Sequence, residues 1–487
     1  METQERGRIW TLVLVSVGLF MVVLDNLVVN VALPSIHNDF GASVQALEWT
    51  VNAYVLAYGV LLLTGAALGD RFGRRRMFVT GISLFTAASA GAALAPSADL
   101  LIAARAIQGI GAAIVTPLTL TLLAGAFPPE KRGLALGVWS GISGVAVALG
   151  PLVGGAVIEL ADWHWIFWIN VPIGLMLAPI AARKLDESYG PKAPLDFPGL
   201  GLASTGLFGL VYGLVRAQTI GWTAPEVLVS LGAGLALMAA FVRQEIRSES
   251  PMLPMQFFAK RSFAVTNVVS MAMYFGMFGS IFFLSQFMQN VLGNSPLEAG
   301  LKLLVWTGAT MIVAPLAGIF SEKFGPRWFM VTGVSLQAIA LGWLATEAST
   351  TMSYGSMVIP FILAGSGMAL VFAPSAAAIL NSVRVDQAGQ ASGATNAIRE
   401  LGGTFGIAVL ATVFSGAGAY TTPQAFVDGL VPALWVGVGV LTFGALTAAL
   451  LPFGGKATES EVEEYEEIEE RDGGHADRSA PPLPAAS

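Results

Sequence analysis

Gly65-Ala66-Ala67-Leu68-Gly69-Asp70-Arg71-Phe72-Gly73-Arg74-Arg75-Arg76 closes one long apolar run, and Met77-Phe78-Val79-Thr80-Gly81 opens the next. The same construction returns 252 residues later as Gly318-Ile319-Phe320-Ser321-Glu322-Lys323-Phe324-Gly325-Pro326-Arg327, followed by Trp328-Phe329-Met330-Val331-Thr332-Gly333. Each copy reads as apolar helix, acid, base, Phe-Gly, more base, apolar helix. Repeated membrane hairpins are a common plan for secondary carriers, with the substrate path at the interface of the repeats. The repeat therefore predicts a carrier and says where its site lies.

Composition points the same way. The chain is 55% hydrophobic and 12% charged, with a mean hydropathy of +0.69, too apolar for a soluble domain of this length. A crossing needs roughly 20 apolar residues. Fourteen such runs are present, at about 9–33, 48–68, 77–95, 99–124, 134–160, 164–182, 197–216, 226–243, 263–291, 297–320, 329–346, 354–380, 390–415 and 430–451. The 56 glycines fit a membrane body, because small residues let helices approach closely in lipid. Basic residues set the orientation. Arg6, Arg8, Arg71, Arg74 to Arg76, Lys131, Arg132, Arg183, Lys184, Arg243, Arg247, Lys260, Arg261, Lys323, Arg327 and Arg384 all fall on alternate loops. The intervening loops at 34–47, 96–98, 161–163, 217–225, 292–296, 347–353 and 416–429 contain no Lys or Arg. The positive-inside rule then puts both termini in the cytoplasm of a multi-pass protein of the cell (inner) membrane.

The first run does not read as a cleaved signal, since it contains Asp25 and ends at Leu33-Pro34 without a small-x-small site. With no cysteine there is no disulfide or thiolate chemistry. Gly454-Gly455-Lys456 lacks the earlier glycine of a phosphate-binding loop, so no ATP site is expected. His37, His164 and Glu159 have no metal-ligand spacing, and no nucleic-acid patch, nucleophile motif or cofactor motif is visible. The expected partners are protons, a small-molecule substrate and the lipid bilayer.

The repeat fixes the organisation. Gly133 and Gly137 correspond to Gly389 and Gly393, 256 residues on. The expected layout is a six-helix bundle at 1–185, an inserted transmembrane hairpin and linker at 186–262, and a second six-helix bundle at 263–453. Residues 250–261, rich in Met and Phe ahead of Lys260-Arg261, read as an interfacial stretch. The tail at 454–487 holds ten acids and three bases, the whole of the net charge of −7, and reads as disordered.

Several stretches resemble the major facilitator superfamily, in its fourteen-helix drug:proton antiporter branch, over about residues 9–451. Asp70-Arg71-Phe72-Gly73-Arg74-Arg75-Arg76 is similar to the superfamily's cytoplasmic signature, with Ala66 in place of its leading Gly. Leu24-Asp25-Asn26-Leu27-Val28-Val29-Asn30-Val31-Ala32-Leu33-Pro34 resembles the first-span motif, with Leu27 where Thr is usual. Arg105-Ala106-Ile107-Gln108-Gly109-Ile110-Gly111 resembles the fourth-span motif associated with proton coupling. Gly150-Pro151-Leu152-Val153-Gly154-Gly155 resembles the fifth-span antiporter motif, with Ala146 for its first Gly. Trp163-His164-Trp165-Ile166-Phe167-Trp168-Ile169-Asn170-Val171-Pro172-Ile173-Gly174 is also typical, with His164 at a usual Arg position. The resemblance implies an all-α fold of two six-helix bundles plus a two-helix hairpin, and antiport by alternating access.

Charges inside apolar runs are the sharpest site signal, because each costs roughly 2.5–3.5 kcal/mol on insertion scales. Asp25 and Arg105 lie about 12 and 9 Å from the same end of their runs, at ~1.5 Å per residue. Matching depth predicts a pair, direct or through water. A carboxylate beside a guanidinium is held ionised, and one left alone in an apolar cavity takes up a proton, so this pair is the candidate proton-coupling element. Arg399 and Glu400 are neighbours some 100° apart on a helix, so they face different grooves. Glu400 shares a stripe with Asn396 and Gly403 and is the expected cavity-facing acid, a second site for a proton or a cationic substrate. The resemblance places Gln at this position in many members of the branch.

Asp70, Arg71, Gly73 and Arg74, with Glu322 and Arg327 in the second copy, are expected to form a gate that latches the halves. Gly150, Pro151, Gly154 and Gly155 are expected to pack the fifth helix tightly. Asn30, Asn52, Tyr58 and Asn396 are candidate substrate contacts, while Trp49, Trp163 and Trp165 read as interface anchors. The residues thus predict a proton-coupled carrier, and the resemblance implies export of amphipathic, hydrophobic or cationic molecules, of the multidrug and antibiotic-resistance kind. They leave open a lipid or metabolite carrier of the same fold, or a membrane sensor or scaffold without transport.

Overall fold

The computed structural model describes residues 2–42, 44–190, 196–248, 251, 253–384 and 387–452. Among them the chain is helical, with no β-strand. The first group of helices is α1 (Glu2–Phe40), α2 (Val44–Phe72), α3 (Arg74–Ala93), α4 (Ala98–Ala126), α5 (Pro129–Leu160), α6 (Trp165–Trp168) and α7 (Asn170–Lys184). Next come α8 (Phe197–Ile220), α9 (Pro225–Arg247) and the single turn α10 (Gln256–Ala259). The last group is α11 (Arg261–Asn290), α12 (Pro296–Phe324), α13 (Pro326–Glu347), α14 (Tyr354–Asn381), α15 (Ala388–Ala417) and α16 (Pro423–Ala448). Thirteen of the fourteen apolar runs each fall on one long helix, and the run at 164–182 is divided between α6 and α7. Among the described residues, twelve helical stretches are long and apolar enough to cross a membrane. The long helices outside that twelve are α3, which opens on Arg74-Arg75-Arg76, and α5.

Local chemistry sets the helix ends. Ser295 and Glu298 form a reciprocal capping box at the start of α12, and Asp196 accepts from the Gly199 N–H at 2.8 Å to start α8. In both copies of the repeat the chain reverses through a single glycine. Gly73 (φ 105°) links α2 to α3, and Gly325 (φ 82°) links α12 to α13. Only glycine takes such a φ cheaply, which explains the repeated Phe-Gly.

Packing repeats as the sequence does. In the first group α2 lies on α4, α3 on α4 and α7, and α1 on α5; in the last group α12 lies on α14, α13 on α14 and α16, and α11 on α15. The groups meet through two matching contacts, α5 on α12 and α15 on α2. Glycines make the close approaches there: a Cβ on Gly137 would sit 2.6 Å from Pro315 Cα, and one on Gly393 2.7 Å from Ala66 Cβ. The hairpin of α8 and α9 has no counterpart, and α8 packs on both α2 and α15.

Three expectations change. The sixth run is broken at its start, with α6 and α7 meeting at Ile169. Trp163 is no interface anchor: it is buried, edge-on to Phe40, stacked by the His164 ring and bonded through Nε1 to Asp39 at 3.1 Å. In the expected interfacial stretch, Leu253 and Phe257 are buried, and Phe257 packs on Phe263, so those side chains face protein rather than headgroups. The acidic tail lies outside the described residues.

Candidate functional site

Two polar features interrupt the apolar interior, a charged network among the first group of helices and an aromatic cavity between the groups. The network centres on Asp25 of α1 and Arg105 of α4, which are 3% and 0% exposed. Arg105 Nη1 donates to Asp25 Oδ2 and, at 2.9 Å, to Gln108 Oε1, while Nε donates to the Thr50 carbonyl at 3.2 Å. Asp25 Oδ1 accepts from Asn170 Nδ2 at 2.7 Å and from Gln108 Nε2 at 3.2 Å. Gln108 also donates to Ser89 Oγ at 2.7 Å. Five helices (α1, α2, α3, α4 and α7) therefore meet at one ion pair. Removing one partner of such a buried pair costs about 3–5 kcal/mol, because the other is left uncompensated.

Close helix approach makes the network possible. A Cβ on Gly109 would lie 2.5 Å from the Tyr54 carbonyl oxygen, so only glycine lets α4 lie this near α2. Gly150 and Gly154 bring α5 onto α1, where a Cβ would lie 2.6 Å from Leu27 Cβ and 3.1 Å from the Val28 carbonyl oxygen. Gly155 faces Leu297 at ordinary contact distance, and the Pro151 side chain lies outside the described residues. Leu24, Val28, Ile36, Trp163, Ile166 and Phe167 form an apolar cap toward the Trp163 end. Beyond it, the exposed Asp162 carboxyl is held below the usual carboxylate range by the His164 backbone N–H and then by its ring.

The cavity lies between the groups. Its walls include Tyr54, Tyr58, Trp139, Tyr274, Phe278 and Phe372, with Asn26, Asn396 and Glu400 as polar groups. Glu400 is the one charged residue among the described lining residues. Tyr58 donates to Thr116 Oγ1 at 3.3 Å, and Asn396 to the Ser392 carbonyl at 2.9 Å. Asn52 is half-buried and not in the wall, and the Asn30 side chain lies outside the described residues. Arg399 turns away from Glu400 and donates to Ser375 Oγ on α14 at 2.8 Å. Asp25 does not line the cavity. Tyr54 does, and its ring centroid lies 4.3 Å from the Arg105 guanidinium carbon, so one aromatic ring separates the charge network from the cavity.

The repeated loops hold the groups together at the basic end. Asp70 pairs with Arg74 at 2.8 Å, and its carboxylate lies against Gly389 in the first turn of α15, where any Cβ would collide with it. In the second copy the Glu322 carboxylate accepts the Gly133 backbone N–H near the start of α5. An anion at a helix N-terminus is favourable, and here both anions come from the opposite group. Arg71 is exposed, and Arg327 lies over the Trp328 ring at 5.3 Å.

The sequence reading missed Asn170, Ser375 and Glu187 as partners, and it named Gln108 without linking it to Asp25. Asn170 and Gln108 complete the Asp25 network, and Ser375 holds Arg399. Glu187 accepts from the Arg75 and Arg76 backbone N–H groups at 2.9 and 3.3 Å, capping α3, while Gly190 N–H donates to the Asp70 carbonyl at 2.9 Å. A polar side chain one helical turn after Arg105 was the available signal for Gln108.

Comparison with known proteins gives the family. The major facilitator superfamily matches residues 15–407 and, in an overlapping second match, 266–480. The tetracenomycin C resistance and export protein of Streptomyces glaucescens is 35% identical over 431 residues, 88% of this chain and 80% of its own. The puromycin resistance protein pur8 of Streptomyces alboniger is 36% identical over 464 residues, 91% of each chain. Among solved structures, the proton:xylose symporter XylE shares the fold, with a TM-score of 0.69 at 16% identity over 95% of this chain and 99% of its own. The chain belongs to the major facilitator superfamily, as a membrane transporter related to antibiotic-resistance exporters.

Proposed function

We propose that the chain exports amphipathic, hydrophobic or cationic small molecules across the cell membrane in exchange for protons, by alternating access to the central cavity. The observation that carries this reading is the Asp25–Arg105 network, buried yet only one ring away from the cavity. Arg105, Gln108 and Asn170 all donate to Asp25, so its negative charge is compensated in this arrangement. Rearrangement of α1 against α4 that withdraws those donors leaves a carboxylate in apolar surroundings, which takes up a proton. A proton affinity that depends on conformation is what coupling requires. Glu400 supplies the cavity with a counter-charge for a cation, and the aromatic walls supply its faces. Relatives named for tetracenomycin C and puromycin resistance support export of such compounds.

In this reading the chain has fourteen spans: six, an inserted hairpin of two, and six, divided at 1–185, 186–262 and 263–453. Both termini lie in the cytoplasm, so the Asp70 and Glu322 contacts latch the cytoplasmic side, with Arg71, Gly73, Arg74 and Arg327 completing the loops. The alternate absence of Lys and Arg from the intervening loops supports that orientation. The test is transport in proteoliposomes under an imposed pH gradient. Uphill movement of a lipophilic cation that collapses with the gradient is the expected result. Movement indifferent to the gradient contradicts proton coupling.

A further inference from the structure

Arg399 is a buried charge that this mechanism leaves without a task. It sits midway along α15 and is 1% exposed. Its Nη2 is bonded to Ser375 Oγ, while Nε and Nη1 have no hydrogen-bond partner among the described residues. Arg105, equally buried, has a carboxylate, an amide oxygen and a backbone carbonyl. The two arginines are equally buried, and although Arg105 Nη2 is also without a partner among the described residues, only Arg105 meets a carboxylate.

A guanidinium stays protonated and brings five donors in a rigid planar fork. Holding such a charge inside the membrane is costly unless it is compensated. Arg399 recovers part of that cost from ring faces, since its guanidinium carbon lies 5.3 Å from the Phe372 centroid and 5.7 Å from that of Tyr274. One hydroxyl and two rings leave the charge under-compensated.

Those two rings also line the cavity. Arg399 therefore stands one ring's thickness behind the cavity wall, on the residue preceding the acid that lines it. The adjacent Glu400 is near enough to be felt through space but makes no hydrogen bond or ion pair with it among the described residues, since consecutive residues project about 100° apart on a helix.

We propose that Arg399 is an anion subsite of the cavity, taking the carboxylate or acidic phenol of an amphoteric substrate whose cationic group faces Glu400. The planar fork suits a carboxylate, and a side-chain turn of Phe372 and Tyr274 opens the way to it. The proposal rests on the export reading and narrows its substrates from amphipathic cations to molecules that carry both charges.

The test is a matched pair of dyes, rhodamine 110, a zwitterion with a free carboxyl, and its methyl ester rhodamine 123, a cation. Binding of each to the full-length protein in nanodiscs is read by fluorescence anisotropy. Wild type binds the acid more tightly than the ester. In Arg399→Gln that preference falls about tenfold or more, as expected for loss of a charge-assisted hydrogen bond. Arg399→Lys retains part of it, and Glu400→Gln weakens both dyes while keeping their ratio. Wild type without preference for the acid, or an acid-to-ester ratio that is the same in Arg399→Gln as in wild type, overturns the proposal. The latter includes both affinities falling together, the mark of a purely structural arginine. Failure of this ratio with gradient-driven transport of the ester intact sinks the anion subsite alone. Failure of wild type to bind or move either dye sinks the export reading with it.

Discussion

At the residue scale, Asp25 and Arg105 are held in a network drawn from five helices, so each member has a distinct loss. Arg105→Ala strands a carboxylate in an apolar interior and lowers stability by about 3–5 kcal/mol. Asn170→Leu removes one neutral donor and costs about 1–3 kcal/mol. Thermal unfolding followed by tryptophan fluorescence should rank them in that order. Equal losses would mean that the charge is compensated elsewhere. Gly109→Val pushes into the Tyr54 backbone and so displaces the ring between network and cavity. It should abolish gradient-driven transport while dye binding at Glu400 persists, and unaltered transport would show that Tyr54's position is unimportant. The pairing of Asp25 with Arg105 was legible in the sequence because both interrupt apolar runs at matching depth. Asn170 was not, because whether its amide reaches Asp25 depends on the rotation of α7 and the break after α6, which no periodicity reports.

At the element scale, the two loop copies do the same work with different acids. Asp70 addresses the start of α15 and Glu322 the start of α5, each crossing from one helix group to the other. Removing both charges with Asp70→Asn and Glu322→Gln should loosen the basic end. The chain has no cysteine, so a single Ser392→Cys reports on this without background. Ser392 is buried where α15 bonds to the Pro117 carbonyl of α4 at 3.1 Å. Maleimide labelling there should speed up several-fold in the double variant, whereas an unchanged rate would contradict the latch. The repeat made this geometry readable in advance, since Gly73 and Gly325 both need a positive φ and both follow a helix that ends in an acid and a base. The strap through Glu187 and Gly190 was invisible, because it depends on where the chain after α7 returns.

At the scale of the whole molecule, two groups of helices share one packing plan and meet at two equivalent seams, α5 on α12 and α2 on α15. The hairpin breaks that symmetry. It bridges the second seam, with Ser204 bonded to Thr64 of α2 at 3.2 Å and Trp222 bonded to Thr412 of α15. Trp222→Ala removes the tie to α15 alone and should raise the turnover rate of exchange if the hairpin restrains the rocking of the halves; an unchanged rate would make it a passive cover. The all-helical membrane body and the twofold packing plan followed from hydropathy and the repeat, whereas twelve of the fourteen expected spans are long and apolar enough to cross among the described residues. The seam chosen by the hairpin did not follow from either, because an insertion without a counterpart has no internal template to reveal its neighbours.

The central claim is that Asp25 exchanges its proton as substrate moves through the cavity. The most direct measurement is proton release, read with a pH dye in weakly buffered detergent solution, as rhodamine 123 is added to purified protein. Wild type should release protons on binding, and Asp25→Asn should bind the dye and release none. Undiminished release from Asp25→Asn would contradict the account and move the proton to Glu400.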